Sequence, residues 1–579
     1  MAIAISVSLR LFFFSALFLG YGVFELEASD HISQTLQIPE FAITATGQPY
    51  RTAFHFQPPK NWMNDPNGPM IYNGIYHLFY QYNPKGAVWG NIEWGHSTSE
   101  DLVNWTPHEP AIYPSQQADI NGAFSGSATI LPDGTPAILY TGIDPLNQQV
   151  QNLALPKNSS DPYLIEWVKL AENPLMAPTS QNQIEASSFR DPTTAWKGID
   201  GSWRVVIGSK NKTKGLGIIY RSKDFVNWVQ AERPIYEVEG TGMWECPDFF
   251  PVAINTNTGV DLSNLGPDIK YVLKASLFDI NQDYYAIGEY DGVEDVYTPD
   301  TGSISGDGGL RFDYGKFYAS KSFFDRDKKR RILWAWIAES SSVDDDIKKG
   351  WAGLQGVPRV ILLDKSRKQL VQWPIEEIEK LRVNPVHLPL KVLEGGSLLE
   401  VSGVTAAQAD VEISFRVANI EKIEVLNQDV TQINPQMLCS QKGASVKGSL
   451  GPFGLHVFAL KGMQEHTSIF FRIFKVQNKY VVLMCSDQSR SSLNPTTNKT
   501  IYGTFLDVDP LHEELSLRCL IDHSIVESFG GKGKSCITAR VYPELAINEA
   551  ASLYAFNNGS ESVTITRLSA WSMKKAKIN

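Results

Sequence analysis

Ser99-Glu100-Asp101-Leu102-Val103-Asn104-Trp105 returns as Ser222-Lys223-Asp224-Phe225-Val226-Asn227-Trp228, 123 residues further along the chain. That interval is two units of about 62 residues, and a four-stranded propeller blade takes roughly 40–50 residues, more when its loops are decorated. Around the repeat lie short runs rich in aromatic and β-branched residues, at 75–82, 135–142, 203–210, 271–278, 283–291 and 331–339. Gly, Pro, Asn and Asp bound each run, as they bound strands, and long helical periodicity is nearly absent. Residues 50–375 are therefore expected to form a five-bladed β-propeller.

Downstream, Ile-Glu-Glu-Ile-Glu-Lys-Leu-Arg at 375–382 is the clearest helical stretch, with Pro374 before it and Pro385 after it. The Pro- and Gly-containing segment up to Gly396 reads as a domain boundary, so 376–396 is expected to be a linker with a short helix. Strands are predicted at 411–417, 468–476, 479–486, 515–522 and 562–573, and their alternation indicates a β-sandwich over 397–579. The fold class is all-β.

The 579 residues are 43% hydrophobic and 20% charged, which excludes a disordered or collagen-like chain. A net charge of −11 argues against a nucleic-acid partner, which needs cationic surface to displace phosphate counterions. Residues 1–29 read as a signal peptide: Arg10, an apolar run from Leu11 to Phe24, then Glu27-Ala28-Ser29. The run is short for a membrane span, and no later segment reads as one, so a soluble secretory protein is expected, extracellular or vacuolar. The sequons at Asn104, Asn158, Asn211, Asn498 and Asn558 agree with that route. Asn104 lies inside the repeated Trp motif and is expected to be enclosed by it.

The five cysteines contain no C-x-x-C pair, and an odd count leaves one thiol free. Four lie beyond residue 430, which suggests a bridge within the C-terminal domain. Cys439–Cys485 is the favoured pairing, although spacing alone leaves others open. The ten histidines show no H-x-x-x-H spacing, and neither metal nor cofactor is expected.

Three acids stand in unusual settings: Asp65 in Trp62-Met63-Asn64-Asp65-Pro66-Asn67-Gly68, Asp191 in Phe189-Arg190-Asp191-Pro192, and Glu245 in Trp244-Glu245-Cys246-Pro247-Asp248. Their separations of 126 and 54 residues approximate two blades and one blade, and positions offset by whole blades converge on the propeller channel. Pro66 and Pro192 should push Asp65 and Asp191 towards extended backbone. Arg190 should hold the neighbouring Asp191 ionised. Paired carboxylates without a Ser/Cys-His constellation point to glycoside hydrolysis, where one acid stays ionised and the other protonated. Asp65, amid the amides of Asn64 and Asn67, suits the nucleophile; Glu245, wedged by Trp244 and Pro247, suits an acid/base with a raised pKa. Asp522-His523 with Glu527 looks superficially catalytic but is expected to be structural.

At these motifs the chain resembles the plant acid invertase and fructan exohydrolase family, glycoside hydrolase family thirty-two, from about residue 50 to the C-terminus. The resemblance implies a five-bladed propeller followed by a β-sandwich, and retaining release of terminal β-fructosyl units. It implies Asp65 as nucleophile, Glu245 as acid/base and Asp191 as stabiliser of the oxocarbenium-like state. Asn64, Gln81, Trp89, Ser125 and Arg190 fall on family positions lining the fructose pocket, and Trp62 on its aromatic wall. Pro247 after W-E-C is the cell-wall-type choice, where vacuolar invertases typically carry Val.

Two departures bear on substrate. Family invertases place Trp before S-G-S-A-T, where this chain has Phe124. Invertases of this branch usually show S-L-D-D-x-K, whereas this chain has Ser276-Leu277-Phe278-Asp279-Ile280-Asn281. Phe278 and Asn281 remove groups that fix the glucose half of sucrose, and a ring offers an apolar face to another fructosyl unit. A fructan exohydrolase, inulin-type β-2,1 ahead of levan-type β-2,6, is therefore expected, acting as a monomer on fructan or sucrose. A cell-wall-type invertase is the alternative within enzymes, and a silent fructan- or sucrose-binding relative the alternative of another class.

Overall fold

A computed structural model describes residues 47–256, 258–262, 266–305, 309–417, 420–427 and 429–578; the expected leader lies outside them. Five antiparallel sheets follow one another along the chain up to Pro374 and form the blades. Their inner strands are Asn61–Tyr72, Ala123–Ile130, Phe189–Arg190, Trp244–Ala253 and Tyr318–Asp325. The ring closes where Trp351–Ala352, from the fifth unit of chain, adds in parallel to the first inner strand through Asn61 and Trp62.

The repeated heptad forms the same turn in the first and third blades. Leu102 and Phe225 both take positive φ, 63° and 69°. Asp101 Oδ1 accepts the Asn104 backbone N–H at 2.7 Å, and Asp224 Oδ1 that of Asn227 at 2.8 Å. Trp105 Nε1 and Trp228 Nε1 then donate back to the carbonyls of Leu102 and Phe225 at 3.2 and 3.0 Å. This turn leaves Asn104 exposed rather than enclosed, its amide donating to Asp101 Oδ2 at 2.9 Å. Asn158, Asn211 and Asn498 are also exposed, whereas Asn558 is half-buried with its amide on the Ala444 carbonyl at 3.0 Å.

Two seven-stranded sheets pack face to face beyond the propeller. Ile413, Leu517 and Cys519 of one meet Phe453, Ile469 and Phe471 of the other in a buried apolar layer, the alternation expected of a sandwich. Cys439 and Cys485 are joined by a disulfide, leaving Cys246, Cys519 and Cys536 free and buried.

The segment read as a linker is built differently. Glu376–Leu381 is a 3₁₀ turn, and Arg382–Leu388 and Lys391–Leu393 are strands paired with Val563–Met573 in the sandwich. Pro385 is tolerated because it falls at a register shift between Val383 and Val386, where no ladder N–H is required.

A buried ionic cluster joins propeller to sandwich. His55 Nδ1 meets Asp522 Oδ2 at 2.9 Å and His55 Nε2 meets Glu527 Oε1 at 3.0 Å. Arg359 donates to Glu527 Oε2 at 2.6 Å and to Asp313 Oδ2 at 2.9 Å. Burial alone would lower the imidazole pKa, but the two carboxylates outweigh it and lift His55 to about 9. Burial likewise opposes ionisation of Glu527, yet Arg359 and His55 hold it down at about 2. Asp522 and Glu527 are thus structural, as the sequence reading has it.

Candidate active site

Each inner strand brings one group to the end of the channel where the acids converge. Asp65 comes from the first blade, Ser125 from the second, Asp191 from the turn after Phe189–Arg190, Glu245 from the fourth and Tyr318 from the fifth. Register shifts interrupt four of these strands at the same level, between Met63 and Pro66, Ala123 and Gly126, Glu245 and Asp248, and Tyr318 and Lys321. A bulge re-aims the side chain beside it. Four such breaks turn side chains that would flank a blade into the channel.

Asp65 is held by a chain of neutral donors. Trp62 Nε1 donates to Asn64 Oδ1 at 2.8 Å, and the Asn64 amide donates to Gln81 Oε1 at 2.9 Å and Asp65 Oδ1 at 3.0 Å. The Gln81 amide donates to Ser125 Oγ at 2.6 Å, and Ser125 donates onward to Asp65 Oδ2 at 2.6 Å. Burial pushes Asp65 up to about 7, helped by the negative charges of Glu245 and Asp191 and opposed by Ser125 and Asn64. The reading of Asp65 as the readily ionised member of the pair, on the strength of its amide donors, is corrected. Neutral donors do not compensate burial beside two carboxylates.

Glu245 differs from its sequence reading too. Its Oε1 accepts Arg190 Nε at 3.0 Å and Nη2 at 2.9 Å, and its Oε2 accepts the Tyr318 hydroxyl at 2.5 Å. The apolar wedge is absent because neighbours on a strand face opposite ways. Trp244 points into the blade core, its Nε1 donating to Thr241 Oγ1 at 2.9 Å. Gly208 permits the contact between blades: a Cβ there would stand 2.1 Å from the Trp244 carbonyl oxygen.

Arg190 therefore makes its hydrogen bonds to Glu245 and not to Asp191. Asp191 takes φ 68° instead of the extended backbone expected before Pro192. This left-handed residue swings its carboxylate the other way, where Oδ2 accepts the Cys246 backbone N–H at 2.8 Å. Cys246 Sγ lies 3.4 Å from Asp65 Oδ2 and 3.5 Å from Asp191 Oδ2, so one buried thiol touches both carboxylates. Burial, with the negative charges of Asp191 and Asp65 adding, pushes that thiol far above its usual range.

The rim is aromatic. Trp62 meets Trp336 edge to face at 5.6 Å, and Trp89, 58% exposed, meets Phe124 at 6.0 Å. Phe278 is 51% exposed, with the Arg190 guanidinium 5.6 Å from its ring centre. Asn281, exposed at φ 51°, borders a cavity of about 370 Å³ that runs past Tyr318 and Trp336 to Asn498, Thr500 and Tyr502 of the sandwich. Tyr318, Trp336 and Cys246 escaped the sequence reading. Tyr318 lies 73 residues from Glu245 with no motif around it, whereas Cys246 stood inside a quoted motif. Among the described residues no group of three or more His, Cys, Asp or Glu is placed to hold a metal ion.

Comparison with known proteins gives one family. The Glycosyl hydrolases family 32 N-terminal domain matches residues 55–374 and the family 32 C-terminal domain residues 377–572. A fructan 6-exohydrolase of Beta vulgaris is 64% identical over 534 residues, 92% of this chain and 88% of that protein. The insoluble beta-fructofuranosidase isoenzyme CWINV1 of Arabidopsis thaliana is 60% identical over 571 residues, 97% of each chain. The crystal structure of fructan 1-exohydrolase IIa from Cichorium intybus superposes with TM-score 0.89 at 54% identity, covering 92% of this chain and 98% of that one. A variant of that enzyme in complex with 1-kestose also gives 0.89, at 53% identity and the same coverage.

Proposed function

The chain belongs to glycosyl hydrolase family 32, and from that premise we propose that this β-fructosidase is a fructan exohydrolase working with retention. Asp65 attacks the anomeric carbon of a terminal β-fructofuranosyl unit while Glu245 gives its proton to the departing glycosidic oxygen. The resulting fructosyl ester on Asp65 is then cleaved by a water whose proton passes to Glu245. Asp191 holds sugar hydroxyls and faces the developing positive charge. The two acids repel, so the resting pair keeps one proton; positive charge growing at the anomeric carbon favours an ionised Asp65 and leaves that proton with Glu245. Ser125 and Asn64 fix the attacking oxygen in line, and Arg190 and Tyr318 fix the donor.

The observation that carries fructan over sucrose is Phe278. It stands at the rim beside Arg190, where a hydroxyl-specific site would place an acceptor. A site built to hydrogen-bond hydroxyls can discriminate by about 10⁴ or more, and a ring in that position forfeits it while gaining a stacking face. The 54% identity to a fructan 1-exohydrolase supports inulin-type β-2,1 linkages. The 64% identity to a fructan 6-exohydrolase favours a second reading, levan-type β-2,6 linkages. The leader-like N-terminus and the likeness to an insoluble isoenzyme support an extracellular location.

Initial rates on sucrose, inulin and levan with one preparation decide. Faster turnover of inulin than of sucrose is expected, and levan in front supports the second reading. Sucrose exceeding both polymers makes the enzyme an invertase. Binding without release of free fructose makes it a silent relative.

A further inference from the structure

Behind the carboxylates the channel is closed by two buried lysines, which differ in how their charge is met. Lys274 pairs with Asp283 at 3.1 Å and donates to the carbonyls of Cys246 at 3.0 Å and Ser320 at 2.8 Å. Lys321 is 2% exposed, and among the described residues no carboxylate is recorded within ion-pair distance of it. Its ammonium has three hydrogens, and three acceptors from three blades surround it. These are Ser127 Oγ at 3.0 Å, the Pro192 carbonyl at 3.3 Å and the Pro247 carbonyl at 3.5 Å.

Those acceptors sit next to the reacting groups in sequence. Pro192 follows Asp191, Pro247 lies two residues after Glu245, and Ser127 two after Ser125, the donor to Asp65. Ser127 itself donates to the Pro192 carbonyl at 2.8 Å, so the second and third blades are cross-linked even before the lysine joins them. Lys321 closes the register shift that begins at Tyr318, the residue that donates to Glu245. One side chain thus touches the backbone of three blades at the level where each must aim a catalytic group.

The charge has a use there as well. Asp65, Asp191 and Glu245 bring three negative groups together, and Arg190 bonds only Glu245 among them. The remaining two meet at Cys246, whose thiol feels the positive charges of both Lys321 and Lys274. With Lys274 neutralised by Asp283, Lys321 is the cation left over. A buried ammonium without a counter-ion is costly, and a methionine would fill similar space without that cost.

We propose that Lys321 is a positioning residue of the hydrolytic site. It fixes the strand ends that carry Asp191, Glu245 and Ser125 in one geometry, and its charge steadies the carboxylates above it. The proposal rests on the fructosidase reading.

The test uses the full-length enzyme and its Lys321→Met and Ser127→Ala variants, with folding checked by circular dichroism and thermal melting. Lys321→Met is expected to lower kcat about 10²-fold with KM changed less than about threefold, because misplacement by about 1 Å costs that much. Both limbs of its pH–rate profile are expected to move up by about one unit, since loss of a cation favours the protonated carboxylates. The other charged or titratable groups facing the site, Arg190, the neutral Tyr318 hydroxyl and Cys246 thiol, and the Lys274–Asp283 pair, stay in place. A purely structural lysine would lower the melting temperature and leave the limbs where they were. Ser127→Ala removes one partner and keeps the charge, so a 3- to 10-fold loss of kcat with unmoved limbs is expected. A folded Lys321→Met with wild-type kcat and limbs overturns the proposal. If that variant does not fold, an unchanged kcat in Ser127→Ala overturns it, and the expected loss supports it. Wild-type enzyme in the same assay separates the two readings, since failure to release fructose there sinks the functional assignment instead.

Discussion

The guanidinium of Arg190 donates to Glu245 from two nitrogens, Nε at 3.0 Å and Nη2 at 2.9 Å, although its neighbour in the chain is Asp191. Positive φ at Asp191 separates the two side chains, sending the carboxylate towards Cys246 and the guanidinium across to the fourth blade. One strand end therefore serves two blades. Glu245 is clamped between Arg190 and Tyr318, and Asp65 is held by neutral donors alone, so the two acids stand in unlike surroundings.

Removing either acid is expected to abolish turnover without unfolding the protein. Asp65→Ala loses the attacking oxygen and Glu245→Gln the proton donor, each lowering kcat by about 10³-fold or more. Steady-state kinetics with circular dichroism of the same samples checks both halves of the statement.

The pH profile follows from the raised pKa of Asp65. Hydrolysis needs the acid pair to hold one proton, and with Asp65 at about 7 that last proton leaves as pH rises through neutrality. We expect kcat/KM to be sustained on the acid side of 7 and to fall about tenfold per unit above it. A profile that keeps rising to pH 9 contradicts this.

Much of the molecule was legible in its sequence for a definite reason. The heptad at 99–105 and 222–228 writes a turn whose shared hydrogen bonds are local, so its recurrence exposed the blade period. The three acids were legible because each sits in a short motif with proline one or two residues after it. Their partners were not. Glu245 meets Arg190 and Tyr318 from 55 and 73 residues away, and the channel lysine Lys321 reaches Pro192 over 129 residues. No local pattern records a contact that only closure of the ring creates. The supposed linker misled for a related reason: Pro385 signals a break in a ladder, and that break lies inside a paired strand.

Substrate choice is expected to respond to the rim. Phe278→Asp together with Asn281→Lys gives a sucrose glucose ring an acceptor and a donor and takes away the stacking face. The ratio of sucrose to fructan turnover should rise by about tenfold or more. No gain in the double variant would place substrate choice elsewhere.

The ionic cluster between propeller and sandwich is expected to shape stability with pH. His55 is raised from 6.5 to about 9, so its contribution is full below about 6.5 and is lost as pH climbs through 9. Glu527 is depressed from 4.5 to about 2, so its contribution is full above about 4.5 and is lost as pH falls through 2. Melting temperature should therefore hold a plateau between those limits. Glu527→Gln leaves His55 and Arg359 short of a buried partner and should cost about 3–5 kcal/mol, measured as the drop in that plateau.

Stereochemistry probes the carboxylate pair most directly. Hydrolysis of a short fructan in methanol-containing buffer, followed by NMR before products rearrange, reports which face of the fructosyl–enzyme is open. Attack by Asp65 from beneath and re-attack assisted by Glu245 predict methyl β-D-fructofuranoside. The α-anomer as first product would contradict the account, because it would mean that no ester on Asp65 intervenes.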